Sequence, residues 1–223
     1  MTTIALEANL AEESNPPHRK PHIDREDIMS AALKLLGPNR SVSTISLREV
    51  ARAAGIAPNS FYRHFRDMDE LAVALIERAG EKLRYVIREA RQRATTAPSI
   101  IRSSIDTFME QLGAEEQLLH VLLCEGTVGS DAYKQAVEMV LTEFENELQE
   151  DLVRLSTEAN APLHRPDLVA KAITRLVFAM GGNALDKSLE EKRAIAEQMM
   201  VMVLFLMEGS EAVFKQHGSG DIV

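Results

Sequence analysis

At 223 residues with 45% hydrophobic content the chain can bury a full core, and its wealth of straight-chain residues with 4% aromatics and no Trp favours helix over sheet, so an all-α fold is expected. A net charge of −9 argues against nucleic acid as an average, but the halves differ: residues 18–93 carry about 15 Lys/Arg against 10 Asp/Glu, and residues 94–223 about 10 against 21. One cysteine, Cys124, excludes an intrachain disulfide, no Cys/His cluster suggests zinc, and no apolar run approaches the roughly 20 residues of a membrane span, so a cytoplasmic protein is expected.

Residues 1–22 lack hydrophobic periodicity, contain Pro16, Pro17 and Pro21, and read as a disordered tail with a basic patch at His18, Arg19, Lys20 and His22. A first helix is predicted over Arg25–Leu36, capped by Asp24, with Ile28, Ala31, Ala32 and Leu35 on one stripe and Gly37-Pro38 as its stop. A second is predicted over Leu47–Ala54: Ser46 and Glu49 have capping-box spacing, and Leu47, Val50, Ala51 and Ala54 share a face. Gly55 ends it, because a residue without Cβ takes the left-handed conformation at little cost, and Ile56 plugs the junction. Pro58 then suits a helix first turn, and a third element is predicted over Pro58–Phe65.

Asp67 and Glu70 open a long helix to about Arg93, with Leu71, Leu75, Ala79, Leu83, Val86 and Ala90 buried. Further helices are predicted over Ser99–Leu112, Glu116 to about Glu125, Asp131–Glu158, Asp167 to about Leu185 and Leu189 to about Gln216. The last contains the run Met199–Met207, apolar all round, which suits core packing and a partner subunit alike. Residues 218–223 read as a flexible tail.

A supporting helix, a tight glycine turn and a second helix with a polar outer face are the parts of a helix-turn-helix, and residues 46–65 supply all three. Phe61 and Phe65, spaced i, i+4, face inward, leaving Asn59, Ser60, Tyr62, Arg63 and His64 towards solvent or DNA. Arg48, Arg52, Arg63, His64 and Arg66 cluster within some 20 residues, the composition of a phosphate-binding surface. For a ligand pocket the candidates are Phe108, Leu112, Leu119, Leu122, Leu123, Phe144, Leu148, Phe178 and Met180, each equally suited to plain core. Two other classes compete. An enzyme would need a motif such as HExxH or GxSxG, which is missing, and Cys124 with His120 at i, i+4 is the one pair with nucleophile chemistry. A helical lipid-binding or adaptor protein fits the acidic C-terminal half but leaves the basic helix-turn-helix unexplained.

The stretch SLREVARAAGIAPNSFYRHFRDMDEL, residues 46–71, resembles the signature of the TetR family of bacterial repressors. Within it the chain is most similar to repressors of unsaturated fatty-acid biosynthesis and their acyl-CoA-responsive relatives, through RQRA at 91–94, SIIRSSIDTFME at 99–110 and the Gly-Asn-Ala-Leu-Asp stretch ending at Asp186. The resemblance implies a DNA-binding domain over 23–68 and a helical ligand-binding and dimerisation domain over 69–217. It implies that Ser46 caps the second helix and contacts a phosphate, that Ala57, Pro58, Asn59 and Ser60 start the recognition helix, and that Tyr62 and His64 clamp the DNA backbone. Arg63 is a base reader or a phosphate contact; Met68 stands where many members carry Lys, with Arg66 as a substitute. The implied function is a non-enzymatic repressor without cofactor, a homodimer on a palindromic double-stranded DNA operator, whose effector is a long-chain acyl-CoA or acyl-ACP.

Overall fold

The computed structural model describes residues 23–36, 40–93, 97–113, 119–123 and 130–217. Both expected tails, the Gly37-Pro38 stop, Cys124 and both ends of the helix predicted over Glu116 to about Glu125 lie outside them. The architecture is all-α, with no strand among the described residues: α1 (Arg25–Leu36), a 3₁₀ turn (Val42–Thr44), α2 (Leu47–Ala53), α3 (Pro58–Phe61), α4 (Met68–Arg93), α5 (Ala97–Gln111), helical residues 119–123, α6 (Asp131–Glu158), α7 (Pro166–Ala184) and α8 (Leu189–His217).

The first three helices wrap one end of α4. Asp24 caps α1 by accepting from the Asp27 N–H at 2.9 Å, and Ile28, Ala32 and Leu36 vanish into the core with Val42, Val50, Phe61 and Phe65. Complete burial of the isoleucine, leucine, valine and phenylalanine side chains among these stabilises by roughly 1.5–3 kcal/mol each. α2 begins with a full capping box: the Ser46 hydroxyl accepts from the Glu49 N–H, and Glu49 Oε2 accepts from the Ser46 N–H at 2.8 Å. It ends in a Schellman motif, in which Gly55 at φ +69° donates to Arg52 C=O and Ile56 donates to Ala51 C=O at 2.9 Å.

The element predicted over Pro58–Phe65 is shorter than expected. Regular α-helix stops at Phe61, and residues 62–64 tighten into i→i+3 bonds, Arg63 N–H to Ser60 C=O and His64 N–H to Phe61 C=O. Asp67 and Glu70, which have capping-box spacing, also differ from that pattern. Asp67 accepts from the Glu70 N–H at 2.8 Å, but the Glu70 carboxylate reaches back to the Arg66 N–H rather than to Asp67, because Arg25 holds its other oxygen. α7 begins at Pro166, one residue earlier than predicted, since the left-handed Arg165 places the proline at the first helical position.

The larger body packs α4 against α5 and α6, α6 against α7, and α8 against α5 and α7. α4 is common to both units: its buried side chains run from Leu71 to Ala90. At Gly80 the approach of α6 is so close that a Cβ would sit 2.6 Å from Val140 Cγ1, so only glycine fits there without displacing the valine. Among the described residues no helix is long and apolar enough to cross a membrane.

Candidate nucleic-acid interface and interior cavity

The outer surface of α2, α3 and the following turn carries the residues singled out as DNA contacts. Ser46, Arg48, Ala57, Pro58, Asn59, Tyr62, Arg63 and Arg66 are exposed, Ser60 and His64 are half-buried, and Phe61 and Phe65 are buried beneath them. The partition follows from the i, i+4 spacing of the two phenylalanines, whose rings pack 5.6 Å apart and hold the turn to the core. Tyr62, packed edge-on against Phe61, is 60% exposed, so its hydroxyl stands clear of the domain.

The cations of this surface fall into two groups. Arg25 is structural: it lies 4.2 Å over the Phe65 ring, donates to His64 C=O and binds Glu70 at 3.0 Å, which fixes the end of the α3 turn on α4. Arg40 binds Glu49 at 2.7 Å, and this bond, helped by the two Ser46 donors, lowers the Glu49 pKa to about 2. Arg66 leans on Asp67 at 3.2 Å. Among the described residues no ion pair engages Arg48, Arg52 or Arg63, and all three are exposed. Unpaired, exposed arginines beside a hydrogen-bonding helix start are what phosphate and base edges require.

Inside the larger body a cavity of about 300 Å³ lies between α5, α6, α7 and α8 and touches the end of α4. One end is walled by Phe108, Phe144 and Phe178, with Phe178 set edge-on to both others at 5.4 and 5.2 Å. Ile101, Ile105, Leu148, Leu152, Val177, Val203 and Met207 line its length, and Ala159, Ala161, Leu163, Glu208 and Glu211 stand at the other end. The loop there is pinned to α8: Ser210 donates its hydroxyl to His164 C=O at 2.6 Å and accepts the His164 N–H on its own carbonyl.

Of the nine residues put forward for a pocket, Phe108, Phe144, Leu148 and Phe178 meet at this cavity. Leu112, Leu119, Leu122, Leu123 and Met180 are not in its lining. Leu119 and Leu122 are core residues, and Leu123 packs near Gly181, where the Phe108 ring also lies. Sequence reasoning missed the contributions of α4 and α8, above all Arg91 and Met207; their only trace is the i, i+4 step from Ile87 to Arg91 and the apolar run of α8.

A row of ions ties α4 to α6 beside the cavity. Arg84 binds Glu143 and, at 3.3 Å, Glu147; Arg88 binds Glu147 at 2.6 Å; Arg91 lies 3.1 Å from Asp151, which also holds Arg154 at 2.9 Å. Burial pushes the Arg91 pKa down, and the neighbouring Asp151 and Glu147 act against that shift. Among the described residues no group of three or more His, Cys, Asp or Glu is arranged to hold a metal ion.

Residues 28–75 match the family profile described as bacterial regulatory proteins, tetR family. Solved structures share the fold over four fifths or more of the chain. The fatty acid degradation regulator FadR from Bacillus halodurans superposes with a TM-score of 0.67 at 19% identity, over 86% of this chain and 98% of that one. FadR from Bacillus subtilis, solved with stearoyl-CoA, gives 0.65 at 16% identity over 82% and 98%. AibR, solved with isovaleryl coenzyme A and operator DNA, gives 0.61 at 14% identity over 80% and 97%. Residues 28–75 thus match the tetR family of bacterial regulatory proteins, and the helical architecture around them is the fold of these solved structures.

Proposed function

We propose that the chain is a homodimeric repressor of fatty-acid, and specifically unsaturated fatty-acid, biosynthesis genes. It holds a palindromic double-stranded operator through Ser46, Arg48, residues 57–60, Tyr62, Arg63, His64 and Arg66, and a long-chain acyl-CoA or acyl-ACP in the cavity sets its affinity for DNA. The observation that carries the reading is the apolar cavity itself, because its lining includes Ile87 and Arg91 of the helix whose other end carries the DNA-binding unit. The sequence resemblance to repressors of unsaturated fatty-acid biosynthesis supports the pathway, and structures of similar fold solved with stearoyl-CoA and isovaleryl coenzyme A support the effector class.

Chain insertion between α5, α6 and α7 displaces the end of α4, and a small rotation of that rod changes the separation of two recognition elements on a dimer. A coupling of about 1–3 kcal/mol is a useful switch. The dimer face is α8 with α7: Val201, Met202 and Phe205 are exposed on one side of α8, Phe205 at 68%, and Leu168 on α7.

A second reading, a repressor of another operon answering to a different hydrophobic molecule, is favoured by the carboxylates of Glu208 and Glu211 in the lining, which repel the phosphates of coenzyme A. A titration of DNA upstream of unsaturated fatty-acid synthesis genes, at two salt concentrations and with saturated or unsaturated acyl-CoA, separates them. Salt-sensitive binding that changes with acyl type supports the first reading, and salt-sensitive binding indifferent to acyl-CoA supports the second.

A further inference from the structure

Arg91 stands where two spaces meet. It lines the apolar cavity, and it also lines a polar cleft of about 620 Å³ whose walls include Arg88, Glu147, Asp151 and Arg154. Its ionic contacts are poor beside those of its neighbours. Arg88 makes a 2.6 Å hydrogen bond to Glu147, and Arg154 one of 2.9 Å to Asp151. Arg91 Nε lies 3.1 Å from Asp151 Oδ2 and Arg91 Nη2 lies 3.8 Å from Glu147 Oε2, yet Nε and Oε2 are both buried without a hydrogen-bond partner. A buried guanidinium in this condition has donor capacity that its carboxylate neighbours leave unused.

The serine hydroxyls of the lining are engaged. Ser104 donates to Ile100 C=O and Ser156 to Val153 C=O, which leaves their hydrogens turned to the helix backbone. Along α6, Phe144 lies seven residues before Asp151, about 10 Å of helix rise. A chain laid against that stretch has its apolar part at the phenylalanine wall and its polar end at Arg91.

The geometry points to Arg91 as the residue that reads the carbonyl oxygen at the head of an acyl chain, drawing its guanidinium away from Asp151 as it does so. This rests on the acyl-chain reading of the cavity and adds the group that is recognised. It also gives the ligand a direct hold on the last rung between α4 and α6. A free carboxylate and a thioester both present that oxygen, the first to the cavity mouth alone and the second with its carrier in the polar cleft.

The test is calorimetric titration of the full chain with laurate, lauroyl-CoA and their carbonyl-free counterparts, dodecyl methyl ether and S-dodecyl-CoA. Whichever of laurate and lauroyl-CoA binds identifies the source of the carbonyl. Arg91→Gln is expected to weaken that ligand about tenfold or more while moving its carbonyl-free counterpart less than about twofold. Asp151→Asn, which leaves Arg91 charged and releases its partner, is expected to tighten the same ligand several-fold, a gain that a misfolded variant does not give. Equal weakening of both members of a pair by Arg91→Gln, no weakening at all, or a loss of affinity in Asp151→Asn overturns the assignment while the acyl-chain cavity stands. Failure of every chain to bind the wild type overturns both.

Discussion

Replacing Arg63 by Ala decides what that side chain does on DNA. Arg48, Arg52 and Arg63 face solvent with no ion pair among the described residues, so each reaches DNA without first breaking a bond. A phosphate contact releases counterions and contributes about 0.9 to the slope of log affinity against log salt, hence about 1.8 for the two copies in a dimer. A bidentate contact to guanine instead contributes about 1–3 kcal/mol of discrimination per half-site. Arg63 follows α3 by one residue beyond its cap, on the exposed side of the turn that Phe61 and Phe65 anchor, and in the proposed repressor it reads a base. In anisotropy titrations of an operator selected from random duplexes, Arg63→Ala is expected to lose affinity for the operator by roughly 2–6 kcal/mol per dimer. A scrambled duplex should barely register the change, and the salt slope should fall by much less than about 1.8. Arg48→Ala is expected to do the reverse, weakening both duplexes alike with the full loss of slope. Equal losses on operator and scrambled DNA for Arg63→Ala, with that fall in slope, refute the base assignment and make Arg63 a phosphate contact.

Three further outcomes are expected. Gly55→Ala should cost about 1–2 kcal/mol in urea unfolding, from the left-handed backbone alone, because nothing lies within 4 Å of the new Cβ; Gly55→Asn should recover part of it, and equal losses for the two would contradict the backbone account. Glu49 has its pKa lowered from 4.5 to about 2 by Arg40 and Ser46, so its stabilising contribution is complete above about pH 4.5 and disappears as pH falls towards 2. Acid unfolding followed by circular dichroism should therefore be shallower over that window in Glu49→Gln, and an unchanged profile would show that the Arg40 pair is not maintained in solution. Phe178→Ala removes the ring shared by both edge-on contacts of the cavity wall, and is expected to destabilise by about 3–5 kcal/mol while moving the preferred acyl length upward in a chain-length series.

The N-terminal domain was legible in the sequence because its signals are local. The capping box at Ser46, the glycine at 55, the proline at 58 and the Phe61/Phe65 pair each act over a few residues and need no distant partner. Where local signals competed, the reading failed: Glu70 has the spacing to return to Asp67, yet Arg25, 45 residues away, draws its carboxylate elsewhere. The cavity was half legible for the same reason. A phenylalanine on an apolar stripe looks alike whether it packs on Leu123 or faces a void, and only the placing of α7 against α5 decides it. Arg91 was invisible as a lining residue, since its role depends on a register between α4 and α6 that no short pattern encodes.

The unbroken passage of α4 from the DNA-binding unit into the larger body makes the two parts phase-locked. An α-helix advances about 100° per residue, so a single residue inserted between Ala79 and Leu83 turns everything before it by about that angle relative to everything after. Exchanging DNA-binding units between chains of this fold thus requires a junction that conserves helical phase as well as sequence, and a cut one residue out yields two intact halves aimed in the wrong directions.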